Sequence, residues 1–149
     1  MKKIPLTQGK FALVDDDDFE YLSQWKWSVD GKGYAVRGCG IKMHRLIMGA
    51  PADFFCDHIN GVRLDNRKEN LRLVTNKQNL WNRGKASNNT SGYKGVNFQN
   101  GKWHVSIMAS GIKYHFGCFE TKEKAAAVYN EKAKEIHGEY ARINVIPEQ

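Results

Sequence analysis

Apolar and polar positions alternate at different periods along the chain, and the changes of period predict its elements. Lys10–Val14 reads as a strand, Phe19 and Leu22 suit one or two helical turns, and Trp25, Trp27 and Val29 alternate as in a half-buried strand. Asp30-Gly31-Lys32-Gly33 is a turn, after which Tyr34–Arg37 and Ile41–His44 are expected to pair as a hairpin. A short apolar strand, Phe54–Cys56, then ends in Asp57-His58. It is followed by a polar loop with the turn pairs Asn60-Gly61 and Asp65-Asn66, and by a second strand, Leu71–Val74. Thr75 is a good N-cap, and Gln78 three residues later completes a capping box, so a helix starts there.

Between Arg83 and Gly92 the apolar period vanishes, which predicts a linker. Beyond it three strands are expected, Tyr93–Phe98, Lys102–Met108 and Ile112–Phe119, separated by Gln99-Asn100-Gly101 and Ala109-Ser110-Gly111. Trp103, Val105 and Ile107 alternate with His104, Ser106 and Met108, so the sheet has one apolar and one largely polar face. A helix runs from Thr121 to a stop at Gly138, with Ala125, Ala126, Tyr129, Ala133 and Ile136 as its buried stripe. The pattern predicts an α+β protein: a first domain over 1–83 with a compact core near 53–82, a linker over 84–92, and a second domain over 93–146.

Composition changes this picture mainly through charge. The chain has 149 residues, 41% hydrophobic and 26% charged, which is globular, and a net charge of +7 that favours a polyanionic partner. Cys39, Cys56 and Cys118 are widely spaced and odd in number, which argues for reduced thiols and against a structural zinc site. No apolar run reaches the length of a membrane span, and Met-Lys-Lys is followed by no signal-type apolar region, so a cytoplasmic protein of a bacterial or phage-infected cell is expected. Nothing points to a protein partner, and a monomer is expected. The acidic run Asp15–Asp18 invites a metal reading, but carboxylates ahead of Phe19 more simply complement a helix N-terminus.

Candidate chemistry lies in Cys56–Asn82. Strand, loop, strand and helix bring Asp57 and Asn79 toward one another from opposite sides of the unit. A carboxylate and an amide oxygen are hard ligands, suited to Mg²⁺ or Mn²⁺ with water and phosphate completing the shell. His58 follows Asp57, faces the other way on a strand, and is placed to act as a base.

The residues Asp57-His58-Ile59-Asn60-Gly61, Asp65-Asn66, Glu69-Asn70-Leu71-Arg72 and Gln78-Asn79 resemble the HNH endonuclease motif, in the His-Asn-Asn form of phage and intron-encoded homing endonucleases. The resemblance implies a ββα-metal nuclease unit. In it His58 is the general base, Asp57 and Asn79 are the metal ligands, and Asn70 holds the loop and orients His58. The stretch Met43–Gly49 also recurs in such phage endonucleases, which makes His44 and Arg45 candidates for a phosphate contact, a structural histidine at a strand end being the alternative.

Tyr93-Lys94-Gly95-Val96, Gly101-Lys102-Trp103, Phe116-Gly117, Phe119, Thr121, the run Ala125–Tyr129 and Ala141-Arg142-Ile143-Asn144 resemble the apetala-two (ethylene-response-factor) DNA-binding domain. That resemblance implies a three-stranded antiparallel sheet packed on one helix, with its free face in the major groove of DNA. On this chain it nominates Lys94, Asn97, Gln99, Ser106, Met108, Lys113 and His115. Several arginines that read guanine in the plant domains are here Asn, Gln, Ser and Met, so the plant target sequence does not carry over.

Together the resemblances imply a metal-dependent homing-type endonuclease that hydrolyses phosphodiesters of double-stranded DNA. The alternative is a non-catalytic DNA-binding or regulatory protein that keeps the HNH unit as a scaffold. An RNA-binding module is a weaker reading, because the exposed sheet lacks evident stacking aromatics.

Overall fold

The computed structural model describes residues 1–147. The protein is α+β, with small antiparallel sheets and short helices, and divides into two compact units, Met1–Asn79 and Leu80–Gln149. Among the described residues no helix is long and apolar enough to cross a membrane.

In the first unit β1 (Lys2–Pro5) pairs with β2 (Phe11–Val14), α1 (Asp16–Ser23) follows, and β3 (Ser28–Val29), β4 (Ala35–Arg37) and β5 (Ile41–Lys42) form a three-stranded sheet. Strand β1 was not evident in the sequence: only Ile4 of Lys2–Pro5 is buried, so the segment carries too few inward positions to declare a period. The expected Ile41–His44 strand is corrected. Extended backbone stops at Lys42, and Met43–Ile47 form a helical turn, α2, that buries Met43 and His44. Trp27 likewise meets Leu6 through an isolated bridge rather than lying in a long strand. Ile4, Leu6, Ala12, Val14, Leu22, Trp27, Ala35 and Met43 make the core.

Against this scaffold lies a hairpin of β6 (Phe55–His58) and β7 (Leu71–Val74), followed by α3 (Asn76–Trp81). The capping box is present: Thr75 N donates to Gln78 Oε1 at 2.9 Å and Gln78 N to Thr75 Oγ1 at 3.4 Å. The acidic run sits largely on the first turn of α1, as the dipole argument expects. Two of its side chains also reach the β6–β7 loop. Asp15 Oδ2 accepts from Lys68 N and Asp18 Oδ1 from Lys68 Nζ, at 2.8 and 2.9 Å.

The second unit contains β8 (Val96–Gln99), β9 (Lys102–Ala109) and β10 (Ile112–Phe119) in the order β10-β9-β8, all antiparallel, and α4 (Lys122–His137). Thr121 Oγ1 caps α4 by accepting from Lys124 N at 3.3 Å. Ala125, Ala126, Tyr129 and Ala133 of the helix meet Val96, Val105 and Ile107 of the sheet. Within the expected linker, Asn89 Oδ1 accepts from Gly92 N at 2.8 Å, and its Nδ2 donates to Tyr93 O at 2.8 Å, which makes a local turn.

Strand β8 starts at Val96, not Tyr93, because Gly95 interrupts the extended run at φ +72°. A Cβ there would lie 2.1 Å from the Tyr129 ring and 2.7 Å from Ser106 O, so neither chirality nor space admits a side chain. Gly95→Ala should therefore destabilise the second unit by about 3 kcal/mol, from overpacking and the left-handed backbone combined. Urea denaturation followed by the amide NMR signals of the second unit checks it; a midpoint within error of wild type would refute the packing argument.

Candidate active site

Register determines which side chains share a face of the β6–β7 hairpin. Asp57 is opposite Arg72 and His58 opposite Leu71, so Asp57 and His58 project to opposite sides. Asp57 Oδ2 accepts from Arg72 Nε at 3.2 Å and Nη2 at 3.1 Å, and both side chains are largely buried. The pair fixes the carboxylate at the end of the strand with a charge-assisted contact.

His58 is 4% exposed and its Nε2 lies 3.2 Å from Asn66 Oδ1. Its ring packs edge-on against His44 at 4.9 Å between centroids and tilts against Tyr34 at 5.8 Å, while Tyr34 and His44 are 5.1 Å apart. Burial holds the His58 imidazole below its ordinary pKa, partly offset by the bond to Asn66 and by Asp57 and Asp65. The ring therefore stays neutral at physiological pH, the form a general base requires. His44 is pushed down to about 3, first by burial and then by the neighbouring His58. The same apolar surroundings raise the Cys56 thiol to about 12, which makes it inert as a nucleophile.

The loop between the strands is held by polar side chains. Asn70 Nδ2 donates to Asp65 O at 2.8 Å and its Oδ1 accepts from Asn60 N at 3.0 Å. Asp65, itself buried, accepts from Arg67 Nε and Nη2 at 2.8 Å and from Asn60 Nδ2 at 3.0 Å. Asn70 thus clamps the loop, and Asn66 is the side chain within hydrogen-bond distance of His58 Nε2. The sequence marked Asp65-Asn66 only as a turn, and no local signal shows that both side chains turn inward.

Asn79 lies in the first turn of α3, half-buried, with its backbone N donating to Thr75 O at 3.0 Å. Among the described residues no group of three or more His, Cys, Asp and Glu side chains could hold a metal ion. One carboxylate and one amide leave most of a coordination shell to water and phosphate. That donor set fits Mg²⁺ or Mn²⁺ and does not fit a closed zinc site.

Arg45 is committed elsewhere. Its guanidinium donates to Phe54 O, Ala50 O and Pro51 O at 2.7–3.1 Å, so it braces the turn before β6, and buried His44 packs on His58. A phosphate contact by either is not what the geometry favours. A cavity of about 560 Å³ between Ile4–Thr7, Phe19, Trp25 and Trp27 is mainly apolar and carries none of the candidate groups.

In the second unit, strand register and alternation put Asn97, Gln99, Ser106, Met108, Lys113 and His115 on the sheet face opposite the core residues Val96, Val105 and Ile107. His104, opposite Asn97 and Cys118, shares that face. Lys94 does not. It precedes the sheet, and its Nζ donates to Trp81 O at 2.6 Å, with burial lowering its pKa to about 8.

Residues 43–80 match the HNH endonuclease family. An uncharacterised HNH endonuclease of Acanthamoeba polyphaga mimivirus is 35% identical over 147 residues, covering 93% of this chain and 77% of that protein. The chain belongs to the HNH endonuclease family. Protein 3.8 of Escherichia phage T7 is 34% identical over 94 residues, 62% of this chain and 77% of that protein. No solved structure is a significant match to the chain. HNH nucleases generally depend on a divalent metal ion, and a nuclease of this family acts on DNA. The matched segment spans both strands of the hairpin, most of α3, and also α2 with His44.

Burying a neutral imidazole makes an HNH fold sensitive to acid. Above 6.5, the ordinary value, neither folded nor unfolded His44 binds a proton; between 6.5 and about 3 only the unfolded chain does. Stability should hence fall as pH drops through that window, by up to about 1.4 kcal/mol per pH unit for this group. His58 adds in the same direction. Urea midpoints measured from neutral to acidic pH should fall less steeply for His44→Phe than for wild type; parallel curves would show that His44 is not the group responsible.

Proposed function

We propose that this HNH protein is a homing-type endonuclease that hydrolyses phosphodiester bonds of double-stranded DNA. The observation that carries the reading is the placement of Asp57 and His58 at the end of β6, on opposite faces of a strand–strand–helix unit whose helix bears Asn79. His58 removes a proton from water. The resulting hydroxide oxygen bonds to phosphorus as the P–O3′ bond breaks, and the departing 3′-oxygen keeps the electron pair and takes a proton from solvent. Asn70 holds the loop that follows His58. Asp57 and Asn79 would hold Mg²⁺ or Mn²⁺. The chemistry a bound ion supplies is stabilisation of charge on the phosphate and the leaving oxygen.

The second unit sites the reaction, as an apetala-two-type module whose polar sheet face enters the major groove. Three antiparallel strands with a helix on one face support this reading, as do the exposed Asn97, Gln99, Met108, Lys113 and His115 on the other. Lys94 would act through the protein interior rather than on DNA, given its bond to Trp81 O.

One observation favours a second reading, a non-catalytic DNA-binding protein with the HNH unit as scaffold. Asp57 Oδ2 already accepts two hydrogen bonds from Arg72, a cation in competition with any metal ion. Plasmid nicking with Mg²⁺ and with EDTA separates the two. Nicking that requires the metal supports the nuclease, and none under either condition supports the scaffold.

His58→Ala should lower nicking by about 10²–10⁴-fold while leaving DNA affinity nearly unchanged, because the base acts in the transition state. Full cleavage by that variant would remove His58 from the role. Lys113→Ala, on the proposed DNA face, should reduce the slope of log affinity against log salt by about one for the full chain. An unchanged slope in fluorescence-anisotropy titrations would take Lys113 off the phosphate backbone.

A further inference from the structure

We propose, resting on the reading of His58 as the base of a DNA nuclease, that Lys42 and Arg63 bind backbone phosphates of the strand that is cut. Gathered over the Tyr34 ring, they seat that strand beside the two buried histidines.

Other basic side chains of this unit are already committed. Arg45 donates to three backbone carbonyls, Arg67 pairs with Asp65, Lys68 with Asp18 and Arg72 with Asp57. Lys42 and Arg63 are not: among the described residues neither has a carboxylate within ion-pairing distance. Lys42 ends β5 and Arg63 stands in the β6–β7 loop, yet both reach one ring. Lys42 Nζ lies 4.9 Å and Arg63 Cζ 5.2 Å from the Tyr34 centroid. The same ring is 5.1 Å from His44 and 5.8 Å from His58. Two cations from separate segments thus stand one ring away from the candidate base.

The turn before β4 builds this arrangement. Asp30 spends its carboxylate on the backbone rather than on either cation: Oδ1 accepts from Lys32 N and Tyr34 N, both at 2.9 Å, which sets the turn that presents Tyr34. Arg63 Nη1 donates to Lys32 O in the same turn, so the guanidinium is fixed while its other N–H groups stay available to a ligand. Arg63 is exposed and Lys42 half-buried, so solvent reaches both.

Two like charges held over one ring repel each other, and the ring's quadrupole attracts each only weakly. A bound anion reverses that balance. A guanidinium recognises phosphate oxygens through its fork of N–H groups, and an ammonium does so as a point charge. Because the base has to meet a phosphodiester, the phosphates nearest these cations are those that flank the bond it attacks. The phosphate contact that Arg45 is too committed to make falls to Lys42 and Arg63.

The test compares the full chain with its Lys42→Gln/Arg63→Gln variant in plasmid nicking with Mg²⁺ over a series of salt concentrations. In the variant the fall of log(kcat/KM) with log salt should be shallower by about two, one for each phosphate contact. KM should rise about tenfold with kcat changed less than about twofold, since contacts to flanking phosphates are alike in ground and transition states. Lys42→Arg/Arg63→Lys keeps both charges and should keep the wild-type slope. An unchanged slope in the Gln variant, or the same loss of slope in the charge-keeping one, would overturn the proposal. If the Gln pair does not fold, Arg63→Gln alone, at an exposed position, decides by a slope shallower by about one. Failure of the underlying reading looks different: undiminished nicking by His58→Ala removes the base whatever the slopes show. In a chain that does not nick at all, anisotropy titrations of a labelled random-sequence duplex read the same slopes, with the same outcomes for the two cations.

Discussion

Two backbone hydrogen bonds on Leu13 hold the candidate site in place. Through them β2 accepts from Asn66 and donates to Leu64, both at 2.8 Å, at the centre of a loop with little apolar packing of its own. A loop this polar would be mobile in isolation. Joined to a paired strand, it presents Asp65 and Asn66 inward, and the remaining contacts follow: Arg67 and Asn60 on Asp65, Asn70 on the Asp65 carbonyl, His58 on Asn66. Lys68, held by Asp15 and Asp18, ties the far end of the loop to α1. The N-terminal segment is thus part of the site's construction rather than an appendage to it.

The same construction fixes the electrostatics. His44 and His58 are packed ring against ring out of water, which keeps both neutral and makes acid costly to the fold. On the opposite face of β6, Asp57 pairs with Arg72 across the hairpin. Adjacent residues on one strand therefore live in opposite environments, one apolar and one ionic. Strand alternation supplies that separation.

In the second unit the helix covers one face of a three-stranded sheet, and small residues, Ala125, Ala126 and Ala133, let it lie close. Tyr129 fills the space above Gly95, which pins the entry to β8. What remains on the uncovered face is largely polar, and its charged side chains, Lys102 and Lys113, are basic. That composition suits contact with phosphates and base edges better than burial against another apolar surface.

Much of this was legible in the chain because it is local. The capping box at Thr75 and Gln78, the alternation of Trp103, Val105 and Ile107, and the alanine stripe of α4 are each determined within a few residues, so period and propensity suffice to read them. The juxtaposition of Asp57 with Arg72 follows from hairpin register once both strands are placed. The tertiary structure alone decided the rest. Strand β1 has only Ile4 to declare it, and His44 turns from a strand end into a buried helical ring because Met43 must reach the core. Asn66 becomes the partner of His58 only because Leu13, distant in sequence, captures its backbone. Lys94, basic and placed just before β8, turns inward to the Trp81 carbonyl. In each case the deciding contact joins residues far apart in the chain, and a one-dimensional pattern does not record the direction a polar side chain takes when such a contact forms.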